Sequence, residues 1–327
     1  MTKSPERRAE VMTSPPRVSI AIPLYNEEEV FPELLQRLQA VVDRIPGGPH
    51  EIVFVDDGST DGTFERVAAA AAGDPRITGV SLSRNFGHQA ALSAALDRVS
   101  GDVVLVMDGD LQDPPEMIPR FLEESRRGFD VVYARRTGRK ETWILRVCYY
   151  AFYRMIAALS NLRLPLDAGD FALLSRSVVD RVNAIPERHR YLRGLRTWVG
   201  FRQTGILVER SERAAGRSRY TLGKLLRLAF DGIFAFSMAP LRAAAVLGGL
   251  AIAGAFLYAA YAVYVRVVLG QSPQGFTALI LVITFFSGIQ LLFLGVIGEY
   301  VGRVYEETKG RPHYVIGRTV GRIRNGS

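Results

Sequence analysis

The sequence predicts an α/β protein: a mostly parallel sheet flanked by helices, followed by a two-helix transmembrane hairpin. Three observations carry this. The first half alternates short apolar runs with segments of helical period, the pattern of strands joined by covering helices. One run, residues 103–107, is continuous Val-Val-Leu-Val-Met and leads into Asp108-Gly109-Asp110, which marks a buried strand ending in two carboxylates. Two uncharged stretches, residues 243–265 and 276–298, are each long enough as helices to cross a hydrocarbon core of about 30 Å.

Taken in order, residues 1–16 are polar and proline-bearing with no apolar h-region, and read as a disordered lead-in rather than a secretory signal. Residues 18–22 form a strand that runs into Pro23-Leu24-Tyr25-Asn26-Glu27, and residues 31–42 a helix. The second strand, 51–55, ends at Asp56-Asp57-Gly58-Ser59-Thr60-Asp61-Gly62-Thr63. Helix-start chemistry explains one acceptor there, not two adjacent aspartates. A helix over 64–72, a strand over 77–82, a helix over 86–99 and the strand at 103–107 follow. Gly109 allows a sharp turn, so that both carboxylates face one cation. Pro114-Pro115 forbids further strand and opens a helix, and residues 129–133 give a fifth strand. The polar strand ends gather along one sheet edge, where open α/β sheets bind ligands.

Composition then shifts. Arg135, Arg136, Arg139, Lys140 and Arg146 surround an aromatic segment, 143–159, that reads as an interfacial amphipathic helix, as does 221–241 with Lys224 and Arg227. Cations flank both apolar spans on the outside, from Arg219 to Arg242 and from Arg303 to Arg324. By the positive-inside rule both ends face the cytoplasm, across the inner membrane. The expected organisation is therefore a lead-in (1–16), a catalytic domain (17–220), an interfacial helix (221–241), two transmembrane helices (242–299) and a cytoplasmic tail (300–327). In that tail Tyr314-Val315-Ile316 reads as a short strand able to pair with another subunit of a homo-oligomer.

The 327 residues carry a net charge of +8, which calls for an anionic partner. Its juxtamembrane placement favours lipid phosphate over nucleic acid, for which no motif appears. The single Cys148 excludes an intrachain disulfide framework and a cysteine-rich zinc site. Neither G-x-G-x-x-G nor G-x-x-x-x-G-K-[ST] is present, so phosphates are not held by a Rossmann fingerprint or a P-loop. Two carboxylates at a strand end suit Mg²⁺ or Mn²⁺ bridging a diphosphate, and Asp57 on a neighbouring strand is placed to bond a base or ribose.

Four motifs in order, Pro23-x-Tyr25-Asn26-Glu27, Asp56-Asp57-Gly58-Ser59-x-Asp61-x-Thr63, Ser83-Arg84-Asn85-Phe86-Gly87-His88-Gln89-Ala90-Ala91 and Asp108-Gly109-Asp110-Leu111-Gln112-Asp113-Pro114-Pro115-Glu116, resemble those of glycosyltransferase family 2. With the two-span tail, they are similar to its polyprenyl-phosphate glycosyltransferases. The resemblance implies a GT-A fold and inverting transfer of one sugar from a nucleotide-diphosphate donor to a polyprenyl phosphate. The first expectation is UDP-glucose to undecaprenyl phosphate; GDP-mannose, UDP-galactose and UDP-N-acetylglucosamine are the alternatives. It also implies that Pro23, Tyr25, Asn26, Glu27, Asp56, Asp57, Asp108 and Gln112 hold the nucleotide sugar and that Asp108 and Asp110 take the metal. Arg135, Arg213 and Arg219 would serve the phosphates, and Asp170 the acceptor.

One departure stands out. The family's G-D-F-R-L reads Gly169-Asp170-Phe171-Ala172-Leu173 here, so the missing cation's task passes to Arg135, Arg176 or Arg193. A lipid phosphate is already anionic and needs little general-base help, so Asp170 suits positioning or charge tuning better than proton abstraction. A processive polysaccharide synthase would carry Q-x-x-R-W, which is absent. A non-catalytic sugar-nucleotide or lipid scaffold would have no need of the intact Asp108, Asp110 and Gln112.

Overall fold

The computed structural model describes residues 15–137, 168–188, 190–209, 239–268 and 275–321. These fall into two compact units, the sheet with its helices and a pair of long apolar helices. In chain order the first unit holds β1 (Val18–Leu24), α1 (Phe31–Val42), β2 (Glu51–Asp56), α2 (Thr63–Gly73), β3 (Ile77–Leu82), α3 (His88–Leu96), β4 (Val103–Val106) and, after a 3₁₀ turn at Pro115–Met117, α4 (Ile118–Arg126). There follow β5 (Val131–Thr137), β6 (Ala168–Ser175), α5 (Arg176–Asn183), α6 (Leu192–Trp198) and β7 (Gln203–Glu209). The second unit holds α7 (Ala239–Val268) and α8 (Phe276–Thr308), after which β8 (Ile316–Gly321) rejoins the first.

The strands form one sheet in the order β7-β5-β6-β4-β1-β2-β3-β8. β1 lies between β2 and β4, both parallel to it, and all seven of its residues are buried. That explains its unbroken apolar run. Alternate side chains enter opposite layers. Ile20, Ile22, Phe54 and Leu105 pack with the buried faces of α1 and α4, whereas Ala21, Val53, Val55 and Val104 pack with α3, α5 and α6. On α1 the buried residues Phe31, Leu34, Leu38, Val41 and Val42 keep helical spacing, and Pro32 starts the helix where a missing N–H costs nothing. Each such large side chain, fully buried, contributes about 1.5–3 kcal/mol.

The sheet is mostly parallel, as expected, with two of its eight strands reversed. β6 is antiparallel to β4 and β5, and β8 is antiparallel to β3. Apolar runs mark a strand but not its direction, which the connections decide. The tail strand differs from expectation: it spans Ile316–Gly321 and pairs with β3 of its own chain. Residues 312–321 thus belong to the sheet unit, and α8 continues to Thr308, ten residues past the apolar stretch.

α7 and α8 have 30 and 33 residues, about 45–50 Å of helix, and each contains a segment long and apolar enough to cross a membrane. Leu250, Phe256, Leu257, Leu291 and Leu294 are exposed on them, an amount of bare apolar surface foreign to a water-facing helix. The interfacial segment expected at 143–159 lies outside the described residues, as does that at 221–241 up to residue 238; residues 239–241 already belong to α7.

Candidate active site

The topology brings the chemistry-bearing residues to one edge. β1, β2, β3 and β4 run parallel, so their C-terminal ends, at Tyr25, Asp57, Ser83 and Asp108, share that edge. β6 runs the other way and delivers its first residues, including Asp170, beside the end of β4. β5 and β7 end there as well, which puts Arg135 at the edge; Arg213 and Arg219 follow β7 in the chain. Those two arginines themselves lie outside the described residues.

The loops after β1 and β2 are laced together by side chain to backbone bonds. Asn26 adopts the left-handed region at φ 55°, its Oδ1 accepts from Thr60 N at 2.9 Å, and its own N–H donates to Ser59 Oγ at 2.9 Å. Glu27 N donates to Thr63 Oγ1 at 2.9 Å. Pro23 is buried within β1, whereas Tyr25 is 46% exposed and open to a ligand.

Asp56 and Asp57 are both buried and face different partners. Asp56 accepts from Ser59 N at 3.1 Å and Ser81 Oγ at 2.8 Å. Asp57 accepts from Phe86 N at 2.8 Å and Gly87 N at 2.9 Å, so its carboxylate fastens the loop that leads into α3. Burial raises its pKa and these two N–H donors oppose the rise. Between the two loops Gly58 sits at φ 67°, and a Cβ there would overlap the Arg84 backbone. The adjacent aspartates are explained by opposite pleat directions, one for each side of the second loop.

After β4, the sharp turn is made at Leu111, at φ 58°, and not at Gly109. Gly109 instead packs closely, since a Cβ there would meet the end of the Leu24 side chain. Asp110 Oδ1 accepts from Gln112 N at 3.1 Å. Among the described residues no three His, Cys, Asp or Glu side chains converge in ligand geometry. The edge offers Asp108 and Asp110, with Gln112 Oε1 buried nearby and without a hydrogen-bond partner among the described residues. A pair of carboxylates with substrate phosphates and water completing the shell is an arrangement Mg²⁺ and Mn²⁺ accept. The residues fit such an ion.

Beside this pair lies a cluster that sequence reasoning did not assemble. Arg193, on α6, donates from Nε and Nη2 to the two oxygens of Asp170, each at 2.7 Å. His88 Nε2 stands 3.6 Å from Asp108 Oδ1 and 3.9 Å from Asp170 Oδ2, and so bridges the two strand ends. Arg196 is buried, donates to Gly169 O at 3.0 Å and lies over the Tyr133 ring at 5.5 Å. Burial pushes its guanidinium down to about 10. Burial also acts to raise the Asp170 carboxyl, but the Arg193 hydrogen bonds and charge outweigh it and hold the group down to about 2.

Of the three cations expected to stand in for the family arginine at Ala172, only Arg193 touches Asp170. Arg176 binds the Gly101 carbonyl at the opposite end of the sheet, at 2.9 and 2.6 Å. Arg135 is exposed on β5. Ala172 itself is buried opposite Val106, among apolar neighbours.

The model of Glycosyl transferase family 2 matches residues 19–182. The chain belongs to glycosyltransferase family 2. It is a glycosyltransferase, with a GT-A-like mixed sheet flanked by helices and two apolar helices after it. A Bacillus subtilis protein named uncharacterized glycosyltransferase YkcC is 42% identical, over 93% of this chain and 94% of its own. The bactoprenol glucosyl transferase of Shigella phage SfX is 38% identical, over 92% of this chain and 98% of its own. Among solved structures, glucosyl-3-phosphoglycerate synthase from Mycobacterium tuberculosis, in complex with Mn²⁺, UDP-glucose and phosphoglyceric acid, is 22% identical with a TM-score of 0.45, over 67% of this chain and 78% of that one. As a member of the family, this glycosyltransferase carries all four motifs at one sheet edge, together with the Asp170–Arg193 pair that none of the motifs contains.

Proposed function

We propose that this glycosyltransferase moves one sugar from a nucleotide-diphosphate donor, UDP-glucose in the first instance, to undecaprenyl phosphate, with inversion at the anomeric carbon. The observation that carries this reading is the sharing of one edge by the Asp108–Asp110 carboxylates and the Asp170, Arg193 and Arg196 cluster, in a chain that continues into two apolar helices. Similarity to a bactoprenol glucosyl transferase along nearly the whole chain supports the acceptor and the sugar.

In one displacement, an acceptor phosphate oxygen bonds to the anomeric carbon as the bond from that carbon to the donor diphosphate breaks. The products are the lipid-linked sugar and the nucleoside diphosphate. Asp108 and Asp110, with Gln112 beside them, would hold a divalent ion, whose chemistry there would be charge neutralisation of the departing diphosphate. Pro23, Tyr25, Asn26, Glu27, Asp56 and Asp57 shape the shelf for the nucleotide. The acceptor oxygen is anionic from the start, so no base is required, and a carboxylate already held by Arg193 is a poor one. Asp170 instead keeps Arg193 and His88 oriented where two phosphate-bearing substrates meet, with Arg135, Arg213 and Arg219 offsetting their repulsion.

The exposed apolar faces of α7 and α8 sit in lipid in this reading, with the flanking arginines on the cytoplasmic side of the inner membrane. The test is transfer of radiolabelled sugar from UDP-glucose, GDP-mannose, UDP-galactose and UDP-N-acetylglucosamine into extractable lipid, using purified enzyme and undecaprenyl phosphate. Label that stays in water-soluble products with every donor would refute the acceptor assignment.

A further inference from the structure

A pocket of ≈ 360 Å³ opens between the ends of β2 and β3, the start of α2 and the first residues of β8. Its size is that of a small-molecule site. Strands lie about 4.8 Å apart, so the gap between β2 and β3 is roughly 12 Å along the edge from β4. A ribose and two phosphates cover such a span, from a base in the pocket to the Asp108–Asp110 carboxylates.

The pocket's acids have partners of their own. Asp56 accepts from Ser59 N and Ser81 Oγ, and Asp61 from Thr63 Oγ1 at 2.6 Å, Thr63 N at 3.1 Å and Glu28 N at 3.3 Å. Two guanidinium groups have donors to spare. Arg84 gives one hydrogen bond, to Asn85 O at 2.9 Å. Arg318 lies over the Phe64 ring at 4.6 Å and 3.5 Å from Glu65, with both members of that pair 64% exposed, an arrangement worth little in water. With five N–H donors on each arginine, the pocket offers donors to a neutral ligand more readily than acceptors.

Arg318 reaches the pocket from β8, the strand that follows both apolar helices. Ser83 N donates to Val315 O at 2.8 Å, which presses the tail on the loop after β3. Gly317 lies so close that a Cβ would stand 3.3 Å from Ser83 Cα. We propose that this tail strand is part of the donor site, with Arg318 and Arg84 donating to the exocyclic oxygens of the nucleobase. Uracil and guanine present such oxygens, and adenine presents an amino group instead. The inference rests on the nucleotide-sugar reading above and deepens it.

The test is calorimetric titration of the full-length protein in detergent with UDP, GDP and ADP in the presence of Mn²⁺. Wild type binds UDP and GDP more tightly than ADP. Arg318→Ala weakens UDP and GDP about tenfold, the scale of one lost charge-assisted hydrogen bond, and leaves ADP and thermal unfolding unchanged. Arg318→Gln, which keeps a donor, recovers part of the loss. If Arg318→Ala binds all three as wild type does, or loses all three equally, base recognition by the tail is overturned and the donor reading stands. If wild type binds none of the three, both are overturned.

Discussion

Arg193 grips Asp170 by both carboxylate oxygens at 2.7 Å, with the aspartate side chain only 12% exposed. Removing one member of such a pair leaves the other charge without compensation in a site that water barely reaches. Arg193→Ala is therefore expected to lower stability by about 3 kcal/mol, and Asp170→Asn by less, because the amide still fills the space and accepts one bond. Urea unfolding of both variants measures this. In transfer assays, Arg193→Ala should raise the apparent KM for the lipid acceptor more than that for the donor.

The same pair sets an acid limit. The Asp170 carboxyl is held at about 2 in the folded protein, against an ordinary value of 3.8. A depressed carboxyl pKa contributes stability above the unfolded value and loses it as pH falls through the folded one. About 2 kcal/mol should thus disappear between roughly pH 4 and pH 2. Denaturant unfolding across that range should show the stability gap between wild type and Asp170→Asn shrinking as pH drops. A gap constant with pH would contradict the pairing.

Asp110→Ala, or removal of divalent ions with a chelator, should reduce transfer by at least about a hundredfold, as expected when developing charge on a leaving diphosphate goes unneutralised. Mn²⁺ or Mg²⁺ added back should restore the chelated wild type and not the variant. Undiminished transfer in a thoroughly chelated sample would exclude the ion from the reaction.

Gly58→Ala tests how the two nucleotide-side loops meet. The position combines φ 67° with an approach to the Arg84 backbone that leaves no room for Cβ. We expect a loss of about 2 kcal/mol or more and weaker nucleotide binding, since the loop that Asp57 fastens must move. Thermal unfolding with and without UDP measures both. Gly73→Ala, where nothing lies within 4 Å of the added methyl, is the control expected to fold as wild type does.

The apolar runs at 18–22, 51–55, 77–82 and 103–107 were legible as strands because a strand covered on both faces needs no polar alternation. Motif order was enough to indicate the family, and two uncharged stretches sufficed for the long helices. Side chains drawn together from distant segments were not legible. Asp170 and Arg193 are 23 residues apart and share no local pattern, and His88 meets both Asp108 and Asp170 because β6 runs antiparallel to β4. That the Asp57 carboxylate also fastens Phe86 and Gly87 was not legible, and only the pleat shows it. The tail strand gave a weak signal, too short and too polar to announce a partner, and pairing with β3 makes it the sheet's eighth strand. Local burial is written in the order of residues, whereas strand direction and long-range pairing are settled by which backbone groups find one another in the closed sheet.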